Sequence, residues 1–492
     1  MIGKEQLIID ASEFLKGVSS GAEISDGGFS PTGARGFNML KTPGVLYAPP
    51  QAADVDTDNT LTSNGEIVAT SPDHAVFSGD NRLCVAAKSN GDGTFYRYNG
   101  TKLVLADDAN TPDITNNYAK FFTDIINFAG ETYVTSKETI VRWTSTATFN
   151  ISFYTFAAHS SSAISPHPAI VFENNAFYGD VNVLLRQTAA AGAPAAILTL
   201  SVDQVITGLG VDQGSGKMLI ATSSSLNISN TLTAVHKLLW YDGFSNKVIK
   251  SVIIDDMITG FYSHGGITYV AYGGIYLGYI NGSGISFLRK LKNATFDSDV
   301  FPTKHSFTHR GNTVMVIDGS EILFFGEVIR GSKIFYYGYK NYITGGAVST
   351  TAFKCICPLN SSTTPQAIGI SVATENFFSL DISSVATIDS FTLISNFYQF
   401  PRPVYLRRLE LQFIDNISSG VIVVTYQDER RNGLTLGTEW GTLTNQKIHG
   451  YIGFGGDDSS DSNKVTQFQL TLAYNTTNAG LKRVILYYDP AE

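Results

Sequence analysis

Charge, cysteine and concentrated basic surface are all scarce in this chain, and each shortage removes a class of function. Only 16% of the 492 residues are Asp, Glu, Lys or Arg, against about a quarter in an ordinary globular protein. The formal net charge is −9, and Lys and Arg form no cluster. A surface that neutralises phosphates needs clustered basic side chains, so sequence-independent binding of nucleic acid is not expected. A ring of such chains could still pass nucleic acid through a negatively charged bore without gripping it. Three cysteines occur, Cys84, Cys355 and Cys357. On a strand Cys355 and Cys357 share a face, a spacing that suits neither a disulfide framework nor a zinc knuckle. Buried free thiols in a reducing compartment are the expectation.

Targeting and membrane signals are scarce too. Residues Met1 to Leu15 carry Lys4, Glu5, Asp10 and Glu13, so no signal peptide is expected. One uncharged run, Gly265 to Leu288, spans 24 residues, longer than the roughly 20 needed to cross a bilayer. It also holds seven Gly, Asn281 and several Tyr. A pair of short strands with turns at Gly273-Gly274 and Asn281-Gly282 explains it better, so a soluble chain without a membrane partner is expected.

What is abundant describes strands. The chain has 31 Phe, 24 Tyr and 46 Gly, the materials of short strands joined by tight turns rather than of helices. From about residue 66 one pattern recurs: an apolar strand, a turn, a β-rich strand with small residues, then an aromatic strand ending near Asn-Gly or Asp-Gly. The second strands align at Leu83–Ala87, Thr132–Thr135, Ala176–Gly179, Met218–Thr222, Thr268–Tyr272, Thr313–Ile317 and Ile368–Thr374. Third strands echo one another at Tyr98-Asn99-Gly100, Tyr241-Asp242-Gly243 and Tyr279-Ile280-Asn281-Gly282. A spacing of roughly 35–55 residues is that of propeller blades. Packing such units around an axis buries each sheet against the next. The expected fold is therefore all-β, a β-propeller of about seven blades over residues 61–387, with a tandem of β-sandwiches as the competing arrangement. No Trp-Asp dipeptide and no kelch double glycine stands in register.

The flanks differ. Residues 1–60 read as an extended arm. Leu7 to Leu15 form a short apolar segment, helix or strand, followed by Ser25-Asp26-Gly27-Gly28-Phe29-Ser30-Pro31, Lys41-Thr42-Pro43-Gly44 and Pro49-Pro50. Glycine and proline at this density break regular structure, yet Phe29, Phe37, Leu40, Val45, Leu46 and Tyr47 need burial. An arm laid over a neighbouring surface meets both demands, and a disordered tail is the alternative. Residues 388–492 read as a C-terminal β-sandwich. There Leu409, Leu411 and Phe413 alternate with Arg408, Glu410 and Gln412, and Phe468, Leu470, Leu472 and Tyr474 alternate with polar or small neighbours. Period two marks one buried face and one wet face. Further strands are expected at Val421 to Tyr426 and Val484 to Tyr488.

The search for chemistry leaves no catalytic, cofactor-binding or metal residue. Gly17-Val18-Ser19-Ser20-Gly21 matches a nucleophile pattern, but that motif needs a core strand before the Ser and a helix after it. Gly216-Lys217 lacks the first Gly and the Ser/Thr of a phosphate loop, with Val211 and Met218 in their places. His305 and His309 share a strand face at i, i+4, with no Cys or carboxylate beside them as a third ligand. Asp54, Asp56 and Asp58 open like a calcium loop, but Asn59 and Gly65 stand where its Gly and bidentate Glu belong. Asp457, Asp458 and Asp461 read as a solvated hairpin tip. None of Trp143, Trp240 and Trp440 follows a sialidase repeat. Carboxylate pairs of the glycosidase kind leave no spacing signature.

Asp26-Gly27-Gly28-Phe29-Ser30-Pro31, followed by Lys41-Thr42-Pro43-Gly44-Val45-Leu46, resembles the beginning of bacteriophage virion proteins with a β-propeller. The closing Arg483-Val484-Ile485-Leu486-Tyr487-Tyr488-Asp489 is similar to the end of their β-sandwich. The resemblance implies a non-enzymatic structural component of the virion, a tail or nozzle-type protein forming rings around the DNA exit channel. Its partners would be other virion proteins and copies of itself, and no catalytic residues or cofactors carry over. Two further classes stand beside it. One is a module binding a host-surface glycan or protein, with Trp440 as a candidate for stacking on sugars. The other is a polysaccharide-degrading propeller enzyme.

Overall fold

The computed structural model describes residues 5–14, 44–46, 53–54, 72–78, 82–87, 93–98, 103–105, 124–135, 138–145, 148–157, 167–225, 234–264, 266–273, 276–290, 306–309, 312–317, 321–326, 335–339, 353–359, 366–371, 377–381, 391–417, 420–427, 434–435, 447–453, 464–476 and 480–491. Strand β1 (Glu5–Ile9) is followed by α1 (Ala11–Phe14), a single turn and the one helix among these residues. A two-residue strand follows, β2 (Ala53–Asp54). Among the described residues, everything after it is strand, turn or irregular connection.

Six antiparallel sheets are each built from four consecutive strands. The first holds β3 (Pro72–Ser78), β4 (Arg82–Ala87), β5 (Gly93–Tyr98) and β6 (Leu103–Leu105). The second holds β7 (Asp124–Phe128), β8 (Glu131–Thr135), β9 (Thr139–Ser145) and β10 (Thr148–Thr155). In the third are β11 (Ala169–Phe172), β12 (Asn175–Asp180), β13 (Val183–Gln187) and β14 (Ala195–Thr199). The fourth comprises β15 (Val205–Asp212), β16 (Lys217–Ser223), β17 (His236–Tyr241) and β18 (Lys250–Ile254). The fifth comprises β19 (Ile258–His264), β20 (Ile267–Tyr272), β21 (Tyr276–Ile280) and β22 (Ile285–Lys290). The sixth is β23 (Ser306–His309), β24 (Asn312–Ile317), β25 (Glu321–Gly326) and β26 (Phe335–Tyr339). A seventh sheet has three consecutive strands, β27 (Phe353–Leu359), β28 (Gln366–Ser371) and β29 (Phe377–Asp381), and takes its fourth from β2. There Ala53 stands opposite Ser379 and Asp54 opposite Phe378. Each second strand expected from the sequence falls on the second strand of its sheet, with residues 372–374 of the last outside the described residues.

Neighbouring sheets meet mainly through their first strands. Contacts run β3 to β7, β7 to β11, β11 to β15, β15 to β19, β19 to β24, β23 to β27, and from β27 back to β3. Four-stranded meanders packed face to face in this way are the construction of a β-propeller. The period-two rule explains how each strand serves two neighbours. On β16, Met218 and Ile220 pack toward Phe177 and Leu184 of the third sheet. Leu219 and Ala221 point the other way, toward Val270 and Ile280 of the fifth. Burying each large apolar side chain contributes about 1.5–3 kcal/mol, so both faces of a sheet are needed. Close approach also dictates residue size: a Cβ at Gly210 would lie 2.6 Å from Phe261 Cγ and 2.9 Å from its Cβ.

The uncharged run from Gly265 to Leu288 holds β20 and β21 and leads into β22. Gly273 and Gly282 take positive φ, 59° and 79°. Asn281 Oδ1 accepts from the amides of Ser283 and Gly284, both at 3.0 Å, which shapes the second turn. Among the described residues no helix is long and apolar enough to cross a membrane.

The remaining strands form an eight-stranded sheet: β30 (Phe391–Ile394), β31 (Tyr398–Ile417), β32 (Gly420–Gln427), β33 (Leu434–Thr435), β34 (Lys447–Gly453), β35 (Lys464–Thr476), β36 (Leu481–Pro490) and β1. Strand β31 changes partners along its length. Its start pairs with β35, and its later part lies between β36 and β34. The rest of β35 pairs with β32 and β30. Leu409, Leu411, Phe413, Phe468, Leu470 and Leu472 are buried as their alternation predicts. Glu410 departs from it: on the face expected to be wet, it is only 4% exposed. It accepts from the Tyr487 hydroxyl and from Gln412 Nε2, both at 2.7 Å.

Of the expected arm, residues 5–14, 44–46 and 53–54 are described, and in this single chain they lie on its own strands. β1 pairs residue by residue with β36 of its own chain, from Glu5 opposite Tyr488 to Ile9 opposite Val484. Leu46 forms a bridge to Leu481 on the same strand. Ile9, Phe14, Val45 and Leu46 are buried. Backbone donors and acceptors on an exposed strand edge favour a pairing partner, and the edge of β36 offers one within the chain.

Candidate functional site

Those of the residues singled out from the sequence that are described stand in separate strands and turns. Gly216-Lys217 lies in the hairpin between β15 and β16, with Gly216 at φ +64°, so it is a turn and not a phosphate cradle. Cys84 stands opposite Phe95 in the first sheet, and Cys355 and Cys357 belong to β27. The backbone of His309 lies in β23 and that of Asp54 in β2. Gly17 to Gly21, Asp56, Asp58, His305, Trp440, Asp457, Asp458 and Asp461 lie outside the described residues. Trp143 and Trp240 are buried. Among the described residues no group of three or more His, Cys, Asp or Glu could hold a metal ion.

The polar side chains that do converge join strands, some across the seams between sheets and some within one sheet. At the joint of the second and third sheets, Asp124 opens β7 and is 1% exposed. Its two oxygens accept from the amides of Ile125 and, across the seam, Ala169, each at 2.8 Å. Thr135 Oγ1 donates to the carbonyl of His167 at 2.7 Å. The His167 ring lies flat on Phe156, centroids 3.8 Å apart, with its Nδ1 2.8 Å from the carbonyl of Gly179. Asp180 accepts from the amide of Ala157 at 3.1 Å.

The other end of the same seam is sewn by Tyr133. Its hydroxyl is shared between Glu131 Oε2, 2.7 Å away, and the carbonyl of Ala190 in the turn between β13 and β14. Arg142 grips Glu131 with two bonds, 2.7 and 2.6 Å. That hydrogen bond holds the Glu131 carboxyl below the usual range, against the opposing effect of burial. Burial, and then the bond to Glu131, push the Tyr133 phenol up to about 12. Gln187 Oε1 accepts from the Tyr178 hydroxyl at 2.7 Å, and burial raises that phenol well above its ordinary value.

The fourth and fifth sheets repeat the device with different residues. Asp212 caps the turn after β15, accepting from the Gly214 amide at 3.0 Å and the Ser215 hydroxyl at 2.6 Å. Its Oδ2 also accepts from the buried indole of Trp240 at 2.9 Å. Burial works to raise this carboxyl, but the bonds from Ser215, Trp240 and the turn amides hold it below its ordinary value. Thr268 Oγ1 donates to the carbonyl of Val211 at 2.6 Å and accepts from the Gln213 amide at 2.9 Å. His236 is 2% exposed, and among the described residues neither ring nitrogen has a hydrogen-bond partner. Burial lowers its pKa, while the nearby Asp256 carboxylate opposes that shift.

These groups share one use. Asp124, Asp180, Asp212, Glu131 and Glu410 each spend their oxygens on backbone amides, aromatic hydroxyls, an indole or a guanidinium. A carboxylate so engaged is a fixed acceptor, not a free acid or base. Sequence reasoning marks none of the five as a joint and sets Glu410 on a wet face, because an isolated Asp or Glu in a strand has no spacing that marks it so.

No protein-family model matches the chain, and no curated protein matches it. Similar solved structures include YCF48 bound to D1 peptide, with TM-score 0.43 and 9% identity, covering 70% of this chain and 98% of that one. The β-propeller domain of Cps50 (Swd1) from Myceliophteria thermophila has TM-score 0.41 and 10% identity, covering 64% of this chain and 97% of that one. PorZ, a bacterial surface component of the type-IX secretion system of Porphyromonas gingivalis, has TM-score 0.43 and 10% identity. That match covers 84% of this chain and 59% of PorZ.

Proposed function

We propose that this chain is a non-enzymatic structural component of a bacteriophage particle, a tail or nozzle-type ring protein built as a seven-bladed propeller with a C-terminal β-sandwich. The blade count is supported by the circuit of contacts from β3 through β27 and back to β3. The sandwich is supported by the change of partners along β31 and β35, as where strands switch between packed sheets. The observation that carries the non-enzymatic reading is the use of buried carboxylates as joints. Asp124 on the amide of Ala169 and Asp212 on the indole of Trp240 tie strands together. The phage assignment draws on the resemblance of residues 26–31, 41–46 and 483–489 to virion proteins.

In this reading the partners are copies of the chain in a ring and adjoining virion proteins. The net charge of −9 suits a bore through which DNA passes without being held. The place of action is the virion, assembled in the host cytoplasm. Immunogold electron microscopy of virus particles from the source culture tests this, using an antibody to the full chain. Labelling at one fixed position on the particle is expected. Label confined to free protein or to host cells would refute it.

A further inference from the structure

Asp255 and Asp256 break the pattern of carboxylates engaged by partners. They stand in the connection between β18 of the fourth sheet and β19 of the fifth. Among the described residues neither carboxylate has a hydrogen bond or an ion pair. Asp255 is exposed and Asp256 partly buried. Burial raises the Asp256 pKa, the nearby His236 opposes the shift, and the like charge of Asp255 adds to it. A partly desolvated carboxylate beside a second one favours a cation close by. His236 does not supply it, because burial lowers the pKa of its ring and favours the neutral form. Lys250 is engaged elsewhere: its ammonium donates to the carbonyl of Gly282 and lies 4.5 Å from the centre of the Trp240 ring.

Three aromatic rings stand beside these acids. Tyr272 ends β20, Tyr276 opens β21 directly opposite it, and Phe287 lies in β22. The Tyr272 and Tyr276 rings have centroids 5.4 Å apart and are tilted by 34°. Tyr276 meets Phe287 at 6.2 Å, close to edge-on at 68°. Phe287 is 60% exposed, and both tyrosines are partly buried. The acids act on these rings: after burial, the charges of Asp256 and Asp255 raise the Tyr272 phenol. A Cβ at Gly273 would lie 2.9 Å from Asp256 Oδ2 and 3.0 Å from Tyr276 Cδ2. Carboxylate and ring therefore border the same small space, which the glycine leaves free of a side chain.

We propose that Tyr272, Tyr276 and Phe287, with Asp256 and Asp255, bind an alkylated ammonium group. A cation within about 6 Å of a ring centroid is attracted to the aromatic face, and a neighbouring carboxylate adds to that attraction. N-methyl groups bring apolar surface to the rings while the nitrogen keeps its charge. A metal ion is a poorer fit, since hard cations need several oxygen ligands. Among the described residues no group of three or more His, Cys, Asp or Glu is placed to hold one. The site needs a single copy of the chain, so it is independent of the assembly proposed above.

Saturation-transfer NMR on the full chain tests this, with choline as the probe and sodium chloride at matched ionic strength as the control. Dimethylbutanol, the uncharged carbon isostere of choline, has the same shape without the charge. Transfer to the N-methyl protons of choline is expected, with the isostere bound about fivefold more weakly or worse. Phe287→Leu should weaken choline binding roughly twofold to fivefold, while Phe287→Tyr keeps it, because the contribution comes from the ring. Asp256→Asn should weaken it about fivefold or more. Thermal midpoints check that each variant is folded. A peptide carrying trimethyllysine, titrated alongside, distinguishes the source of the ammonium: tighter binding than choline points to a protein side chain, weaker binding to a free small molecule. No transfer to choline, equal binding of the isostere, or variants that bind like wild type would overturn the proposal and leave the assembly reading untouched.

Discussion

Asp124 is the sharpest point at which to test whether buried acids hold the sheets together. Replacing it with Ala removes the carboxylate that accepts from the amides of Ile125 and, across the seam, Ala169, in a place that is 1% exposed. A hydrogen bond to a charged group contributes roughly 1.5–3 kcal/mol, and an orphaned buried donor costs about 1–3 kcal/mol. The expected loss for Asp124→Ala is therefore roughly 2–5 kcal/mol, concentrated at the joint between the second and third sheets. Asp124→Asn keeps one oxygen and turns an amide group toward the other donor, so it falls between Ala and wild type. Hydrogen exchange read by mass spectrometry suits the question, because it reports the opening of each joint separately. Exchange of peptides covering 124–128 and 167–172 is expected to speed up on the order of 30-fold or more in the Ala variant. Peptides of β36 should be unchanged. Unaltered protection at 167–172 would refute the idea that this acid ties the sheets together.

Three further perturbations probe separate parts of the account. Gly210→Ala places a methyl group against Phe261. It should cost roughly 1–3 kcal/mol by overpacking, lowering the thermal midpoint, and a neutral result would mean the fourth and fifth sheets are not so tightly packed. His236 is held neutral by burial, so the folded form gives up stability as pH falls below its unfolded value of about 6.5. Urea midpoints at pH 7.5 and 5.5 should therefore differ less in His236→Phe than in wild type, and an equal difference would remove His236 as the cause. The lowered Glu131 carboxyl works in the acid range: its contribution is present above the unfolded value of about 4.3 and lost as pH falls through the folded one. Glu131→Gln should flatten that acid limb, while an unchanged limb would mean the bond to Arg142 adds no stability.

The repeat was legible in the sequence because each sheet asks the same thing of its second strand. Met218 to Thr222 must bury side chains on both faces, which leaves a short run of apolar and small residues wherever it recurs. Turns were legible where glycine takes a positive φ, as at Gly273 and Gly282. Pairing between distant segments was not. Nothing in Glu5 to Ile9 says which edge that strand will cover, and a two-residue strand such as Ala53–Asp54 leaves no periodicity at all. Ala53 and Asp54 were read as the end of an arm and the start of an acidic run, yet they complete the seventh sheet. Glu410 misled for a different reason. Alternation assigns a face but not whether that face is covered, and Tyr487 and Gln412 supply partners that make burial of its carboxylate tolerable.

Quantitative mass spectrometry of purified virus particles from the source culture tests the proposed role most directly. A structural ring subunit is expected at a fixed number of copies per particle, the same in every preparation and a multiple set by the ring's symmetry. Particles that lack the chain, with the protein found free in cells or medium, would contradict the role and leave a propeller that acts elsewhere.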